Sequence, residues 1–341
     1  MGRNLDTTIL VNYDTKESSL ESRGKVGRVE KQSLHTVSPV ITIAIPTYKR
    51  PYLLKQAVLS ALNQIFSHEY EILIIDNDDS REFFQANMET ARLHDSIKYI
   101  VNNTNVGMFG NWNQTIINCE TDLISILNDD DLLFPNFLNH VYSNRENNKL
   151  QIVSCLGFNN INELNFEDKN LKRFKKISKS DFFWRNPSNG SLGVVFNKNI
   201  IKSLEMFEES KFPISDYEFF YSYFLKYGAI KTKSVLVGYR WSDNESLKRE
   251  VLEAFLIKGY FFRLSMINSS NVNAFVSKIL QKISQIIFIK HYFGFVKINR
   301  SVSYHLAAKE CDLQSIRLDE IKNIGRIKSA IAFVLAKLIN S

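Results

Sequence analysis

Cysteine is scarce in this chain of 341 residues, and no long apolar run occurs in it. Each absence removes a class of protein. The three cysteines, Cys119, Cys155 and Cys311, are far apart, odd in number and in no metal-binding spacing. That predicts reduced thiols in a cytosolic compartment, where they act as small buried hydrophobes, and argues against a disulfide scaffold or a zinc site. No stretch reaches roughly 18 uninterrupted apolar residues, because Lys282, Lys290 and Lys297 break up the greasy region around Ile283 to Phe295. A membrane-spanning helix is therefore not expected. The opening residues are polar, mixed in charge and without the apolar core of a signal peptide, so residues 1–38 read as a flexible leader. No Gly-x-Gly-x-x-Gly follows the first strand and no Gly-Lys-Ser/Thr phosphate loop appears, which removes the dinucleotide and ATPase fingerprints.

What is present is a 44% hydrophobic composition, that of a globular chain with room for one large α/β domain and an appendage. The net charge of +7 is uneven: residues 245–341 carry 15 Lys and Arg against 7 Asp and Glu, or +8, leaving −1 for everything before. A basic tail rich in Ile and Phe suits an anionic membrane surface better than a nucleic acid.

From Val40 the chain alternates apolar runs with helical periodicity. Val40–Ile45, Glu71–Ile75, Ile97–Val101 and Leu123–Leu127 read as strands, and Tyr52–Gln64, residues 81–93 and Asn111–Asn118 as the helices between them. Such alternation predicts a mostly parallel sheet flanked by helices, with ligands bound beyond the carboxyl ends of the strands. Three polar clusters fall at that edge: Pro46-Thr47-Tyr48-Lys49-Arg50, Asp76-Asn77-Asp78-Asp79, and Asn128-Asp129-Asp130-Asp131. The last is the most telling, because adjacent carboxylates repel unless a cation or strong donors compensate them, and Mg²⁺ commonly reaches phosphates through one or two carboxylates. A solvated turn capping the next helix is the competing reading. Farther on, Gln151–Leu156, Gly190–Phe196 and Ile230–Tyr239 read as strands, and Ser215–Tyr227 as a helix capped by Ser215 or Asp216 and stopped by Gly228.

Taken together, these residues resemble the family 2 glycosyltransferases of the GT-A fold, of the bacterial cell-surface polysaccharide type. Ile45-Pro46-Thr47-Tyr48-Lys49-Arg50 is similar to the family's opening IPTYNR element, Ala61-Leu62-Asn63-Gln64 to its LNQ helix, and Ile74-Ile75-Asp76-Asn77 to its VVDD strand end. Asn105-Val106-Gly107 resembles its N.G turn, Asn128–Asp131 its DxD-type motif, Ser215–Phe220 its ED segment, and Tyr239-Arg240-Trp241-Ser242 its closing Y-R-x-H, with the histidine missing. The likeness spans about residues 39–245. It implies a GT-A domain there, after the leader, and a basic, mainly helical region over 246–341.

The resemblance further implies a metal-assisted, inverting transfer of a sugar from a UDP- or dTDP-sugar to a saccharide or lipid-linked saccharide, aided by Mn²⁺ or Mg²⁺. Asp216 is the implied general base. Pro46, Thr47, Tyr48, Arg50, Asp76, Asn105, Gly107 and Asp129 are implied nucleotide contacts, with Asp76 accepting the pyrimidine imide N–H. Asp130 is the first metal ligand and Asp129 serves ribose or the metal's water shell, while Asp131 caps the helix after Pro135. Arg240, Trp184 and Glu218 are expected near phosphate or acceptor, although an ion pair for Arg240 and core packing for Trp184 compete. An apolar stripe from Ile321 to Leu338 is expected either to pack or to lie on a membrane, which would make the protein cytoplasmic and peripheral at the inner membrane face. A nucleotidyltransferase, a non-catalytic saccharide-binding protein and a membrane adaptor are the alternatives.

Overall fold

The computed structural model describes residues 25–313 apart from 147, 165–170, 202–203 and 243–244. In chain order its elements are β1 (Gly27–Lys31), β2 (Ile41–Thr47), α1 (Pro51–Leu62), β3 (Glu71–Asp76), α2 (Phe84–Ala91), β4 (Ile97–Asn102), α3 (Met108–Asn118), β5 (Leu123–Ile126), β6 (Leu132–Leu133) and α4 (Phe137–Ser143). There follow β7 (Leu150–Phe158), β8 (Lys175–Lys176), α5 (Lys179–Trp184), β9 (Val194–Asn197), α6 (Lys198–Ile201), α7 (Ser215–Tyr227), β10 (Ala229–Arg240), α8 (Arg249–Asn268), α9 (Ala274–Ile298) and α10 (Tyr304–Glu310). The strands form one sheet in the order β1-β4-β3-β2-β5-β9-β7-β10-β6, with β8 beside β10.

The run β4-β3-β2-β5 is parallel, and β9 enters antiparallel between β5 and β7. This is the expected α/β architecture with a parallel centre. Both faces are covered, so the central strands are apolar at successive positions: Ile43, Ile45, Ile72 and Ile74 enter one core, while Ala44, Leu73 and Ile75 enter the other. Register then fixes the site. Thr47 stands opposite Asp76, and Ala44 opposite Ile126, so the loops after β2, β3 and β5 emerge side by side. The short β6 just after the acidic cluster pairs with Val237 and Gly238 of β10, which brings Arg240 under that cluster.

One expectation changes. Residues 27–31, assigned to a flexible leader, are an edge strand antiparallel to β4. Gly-Arg-Val-Glu-Lys has almost no apolar signal because an edge strand can face water. It is held by tertiary contacts: a Cβ on Gly27 would lie 2.5 Å from an Ile100 methyl, and Glu30 pairs with Arg81 at 2.8 Å. In the helical region after residue 246, Met266 and Ile267 of α8 and Leu280, Ile283 and Ile287 of α9 join the cluster that covers the sheet. The Ile321–Leu338 stripe lies outside the described residues. Among the described residues no helix is long and apolar enough to cross a membrane.

Candidate active site

The acidic cluster is buried: Asp129 is 6%, Asp130 9% and Asp131 1% exposed. Arg50, held where Pro51 starts α1, reaches across with Nη1 at 3.1 Å from Asp130 Oδ2 and 3.4 Å from Asp129 Oδ1. The Thr47 hydroxyl donates to Asp129 Oδ2 at 2.7 Å. Burial, and then the neighbouring Asp130, push Asp129 up to about 7; burial also raises Asp130, against the pull of Arg50. Asp131 is raised well above the ordinary carboxylate range, by burial first and Asp130 second. Its partners show a role other than the predicted one. Asp131 accepts from the Arg240 backbone N–H and from Asn128 Nδ2, each at 3.0 Å, so it ties β10 to the cluster. The helix after Pro135 is capped at Asn136, with no side-chain bond.

Asp216 lies at the first turn of α7, 4% exposed, and burial raises it to about 6 against the restraint of the Tyr217 backbone N–H and Asn186. Asn186 Nδ2 donates to Asp216 Oδ2 at 2.7 Å. The N-cap of α7 is Ile214, and the predicted cap Ser215 instead accepts from the Glu208 N–H at 2.6 Å. Gly228 stops the helix as expected, with φ +76°. The loop that holds Asp216 also touches the cluster: Ser191 donates to Asn128 Oδ1 at 3.3 Å, five residues after Asn186. One short loop thus binds Asp216 at one end and, at the other, Asn128, whose amide donates to Asp131.

Asp129 and Asp130 share the Arg50 cation with Asp131 close behind, and burial with mutual repulsion opposes their ionisation, an opposition that a divalent cation would relieve. Among the described residues no three metal-ligating side chains converge. Asp130 and Asp129 are the residues that would hold the ion, the two protein carboxylates that Mg²⁺ typically takes alongside substrate phosphates.

The model of the family described as glycosyl transferase family 2 matches residues 42–204. That match takes in just under half of the chain. Among curated relatives, the GalNAc(5)-diNAcBac-PP-undecaprenol beta-1,3-glucosyltransferase of Campylobacter jejuni is 28% identical over 174 residues, covering 50% of this chain and 56% of that protein. The chain spans from about a third to just over half the length of the first such relatives it matches. Among solved structures, S. aureus TarS in complex with UDP-GlcNAc superposes with a TM-score of 0.52 at 12% identity, covering 85% of this chain and 92% of that one. The mannosyltransferase PcManGT of Pyrobaculum calidifontis in complex with GDP-Man and Mn²⁺ gives 0.54 at 14% identity, covering 92% and 91%. At these identities the likeness concerns the GT-A fold.

The remaining motif residues are placed as follows. Pro46 lies in β2 opposite Ile75, one residue before the strand ends, while Tyr48 is 44% exposed at the loop rim. Asp76 departs from the imide-acceptor role: Oδ2 accepts from Tyr99 Oη at 2.7 Å and Asn87 Nδ2 at 2.8 Å, and Oδ1 from the Asp78 N–H at 3.0 Å, an Asx turn. The acceptor at this strand end with no protein partner is Asp78 Oδ2, also buried. Asn105 and Gly107 form a braced turn, in which Asn105 Oδ1 accepts from Asn77 Nδ2 at 2.8 Å and from the Gly107 N–H at 3.0 Å. Gly107, at φ +76°, leads into α3, and its Cβ position faces the Glu209 carboxylate at 3.3 Å.

Arg240 is a clamp within the fold: its Nε donates to the Asp130 carbonyl at 2.7 Å, its Nη2 to Gln56 Oε1 at 2.6 Å, and its guanidinium lies 4.7 Å over the Phe158 ring. Trp184 packs on the main core, and Glu218 pairs with Lys211 at 3.4 Å. No local signal pointed to Asn186 as the partner of Asp216, because the contact closes over 30 residues.

Proposed function

We propose that this chain is an inverting glycosyltransferase that moves a sugar from a UDP- or dTDP-sugar to a saccharide or lipid-linked saccharide. The observation that carries the reading is Asp216, a buried carboxylate raised to about 6, bonded to a loop that also reaches Asn128, next to Asp129 and Asp130 in the chain. At neutral pH such a group is mostly ionised, yet it is a stronger base than an ordinary aspartate, as general-base catalysis requires. The acceptor hydroxyl oxygen forms a bond to the anomeric carbon, the bond from that carbon to the β-phosphate oxygen breaks, and the hydroxyl proton passes to Asp216. Asp130 and Asp129 would hold a divalent cation, Mn²⁺ or Mg²⁺, which when bound would supply Lewis-acid stabilisation of the charge left on the β-phosphate. Arg50, between the two carboxylates, orients the diphosphate end through charge-assisted hydrogen bonds.

Thr47, Tyr48 and the ends of β3 and β4 form the nucleoside side, with the unpartnered Asp78 Oδ2 as base acceptor in place of Asp76. The names of the relatives support a nucleotide-sugar donor, and that of the Campylobacter protein supports a lipid-linked acceptor. Free cysteines are in keeping with a cytoplasmic setting. A thermal-shift screen of nucleotide sugars tests the reading. A UDP- or dTDP-sugar with Mn²⁺ should raise the melting temperature, since about 100 Kd of ligand adds about 2.7 kcal/mol. EDTA should abolish that shift and Mn²⁺ or Mg²⁺ restore it. No shift with any nucleotide sugar would overturn the assignment.

A further inference from the structure

Helix α9 carries a second surface, remote in sequence from the acidic cluster. Phe275, Lys278, Lys282, Lys290, Phe293 and Lys297 are all exposed and succeed one another at helical spacing, with the half-buried Ile286 completing the ladder between Lys282 and Lys290. The steps are three or four residues throughout, so these side chains lie on one face, about 33 Å long at the helical rise. The other face is buried through Val276, Leu280, Ile283, Ile287 and Phe288. Phe275 is 73% and Phe293 47% exposed.

The 25 residues of α9 include no Asp or Glu. An exposed helix in water usually interleaves both charge signs; here Lys278 and Lys282, one turn apart, repel each other with no acid on the helix between them. A stripe that is cationic only, and that presents two phenylalanines to water, matches a surface that is anionic at its face and apolar just beneath. We propose that this face of α9 docks on an anionic lipid bilayer, with the helix lying in the interface plane, lysines at the headgroups and Phe275 and Phe293 at the acyl boundary. It differs from the Ile321–Leu338 stripe and does not depend on the transfer reaction, because docking is read without turnover.

The test is co-sedimentation of the full chain with phosphatidylcholine vesicles, with or without phosphatidylglycerol at roughly one lipid in three. The chain should bind the anionic vesicles, lose binding as salt rises, and bind neutral vesicles far more weakly. K278Q/K282Q/K290Q/K297Q should weaken binding by about 100-fold or more, since each cation near such a surface contributes roughly fivefold. F275S/F293S should weaken it by about tenfold with the salt dependence kept. All six positions are exposed, and circular dichroism of each variant checks its helix content. Equal binding by both variants and the wild type, equal binding to neutral vesicles, or capture of RNA but not of vesicles would each overturn the proposal.

Discussion

The Asp129–Asp131 cluster and Asp216 are both buried carboxylate sites raised above the ordinary range, but their surroundings differ in kind. The cluster is a crowd of charge: each aspartate feels another, and Arg50 and Arg240 pull against that repulsion. Asp216 meets burial and hydrogen bonds from backbone N–H groups and the neutral Asn186 amide. Crowded carboxylates beside cations are suited to gripping a charged ligand, and a solitary one without a bound cation is suited to taking a proton. Environments that set like groups to different tasks are how acid and base roles are divided in one site.

The comparison can be broken most sharply at Asp216. D216N should lower turnover by about 10³-fold while leaving nucleotide affinity within about twofold, as steady-state kinetics and calorimetry would report; surviving turnover would remove the base. D130N should instead weaken Mn²⁺-dependent nucleotide binding by roughly 100-fold in the same titration.

A smaller effect sharpens the comparison. The Asn186 amide favours the ionised form of Asp216, so N186A should move the acidic limb of the kcat–pH profile upward from about 6, by roughly one pH unit or less. The smallest concerns Glu218, whose partner is Lys211 on a partly exposed surface. E218Q should change kcat and KM by less than about twofold.

Much of the sheet was legible because strands covered on both faces are apolar at successive positions, as in Ile72–Ile75, and α7 was bounded correctly by Gly228. Strand β1 was not, because its polar edge residues are held by Ile100 and Arg81, far along the chain. The site divides the same way. That Asp129, Asp130 and Thr47 would meet followed from their positions at neighbouring strand ends, and the 2.7 Å bond between Thr47 and Asp129 agrees. The partners of Asp76, Asp131 and Asp216 did not follow, because Tyr99, Arg240 and Asn186 reach them across 23, 109 and 30 residues. A motif locates an acid in the chain; its role depends on donors that only the folded chain delivers.

The central claim is that Asp216 is ionised at a cost set by burial and offset by no cation. Its pKa is raised from about 3.9 in an unfolded chain to about 6, so the stability its neutral form contributes is fully present below pH 4 and is lost as pH rises through 6. The decisive measurement is the pH dependence of thermal stability for the wild type and D216N. Above pH 7 the uncharged variant should be the more stable, by up to about 3 kcal/mol, and the gap should close below pH 4. A variant no more stable than the wild type at pH 8 would contradict the account.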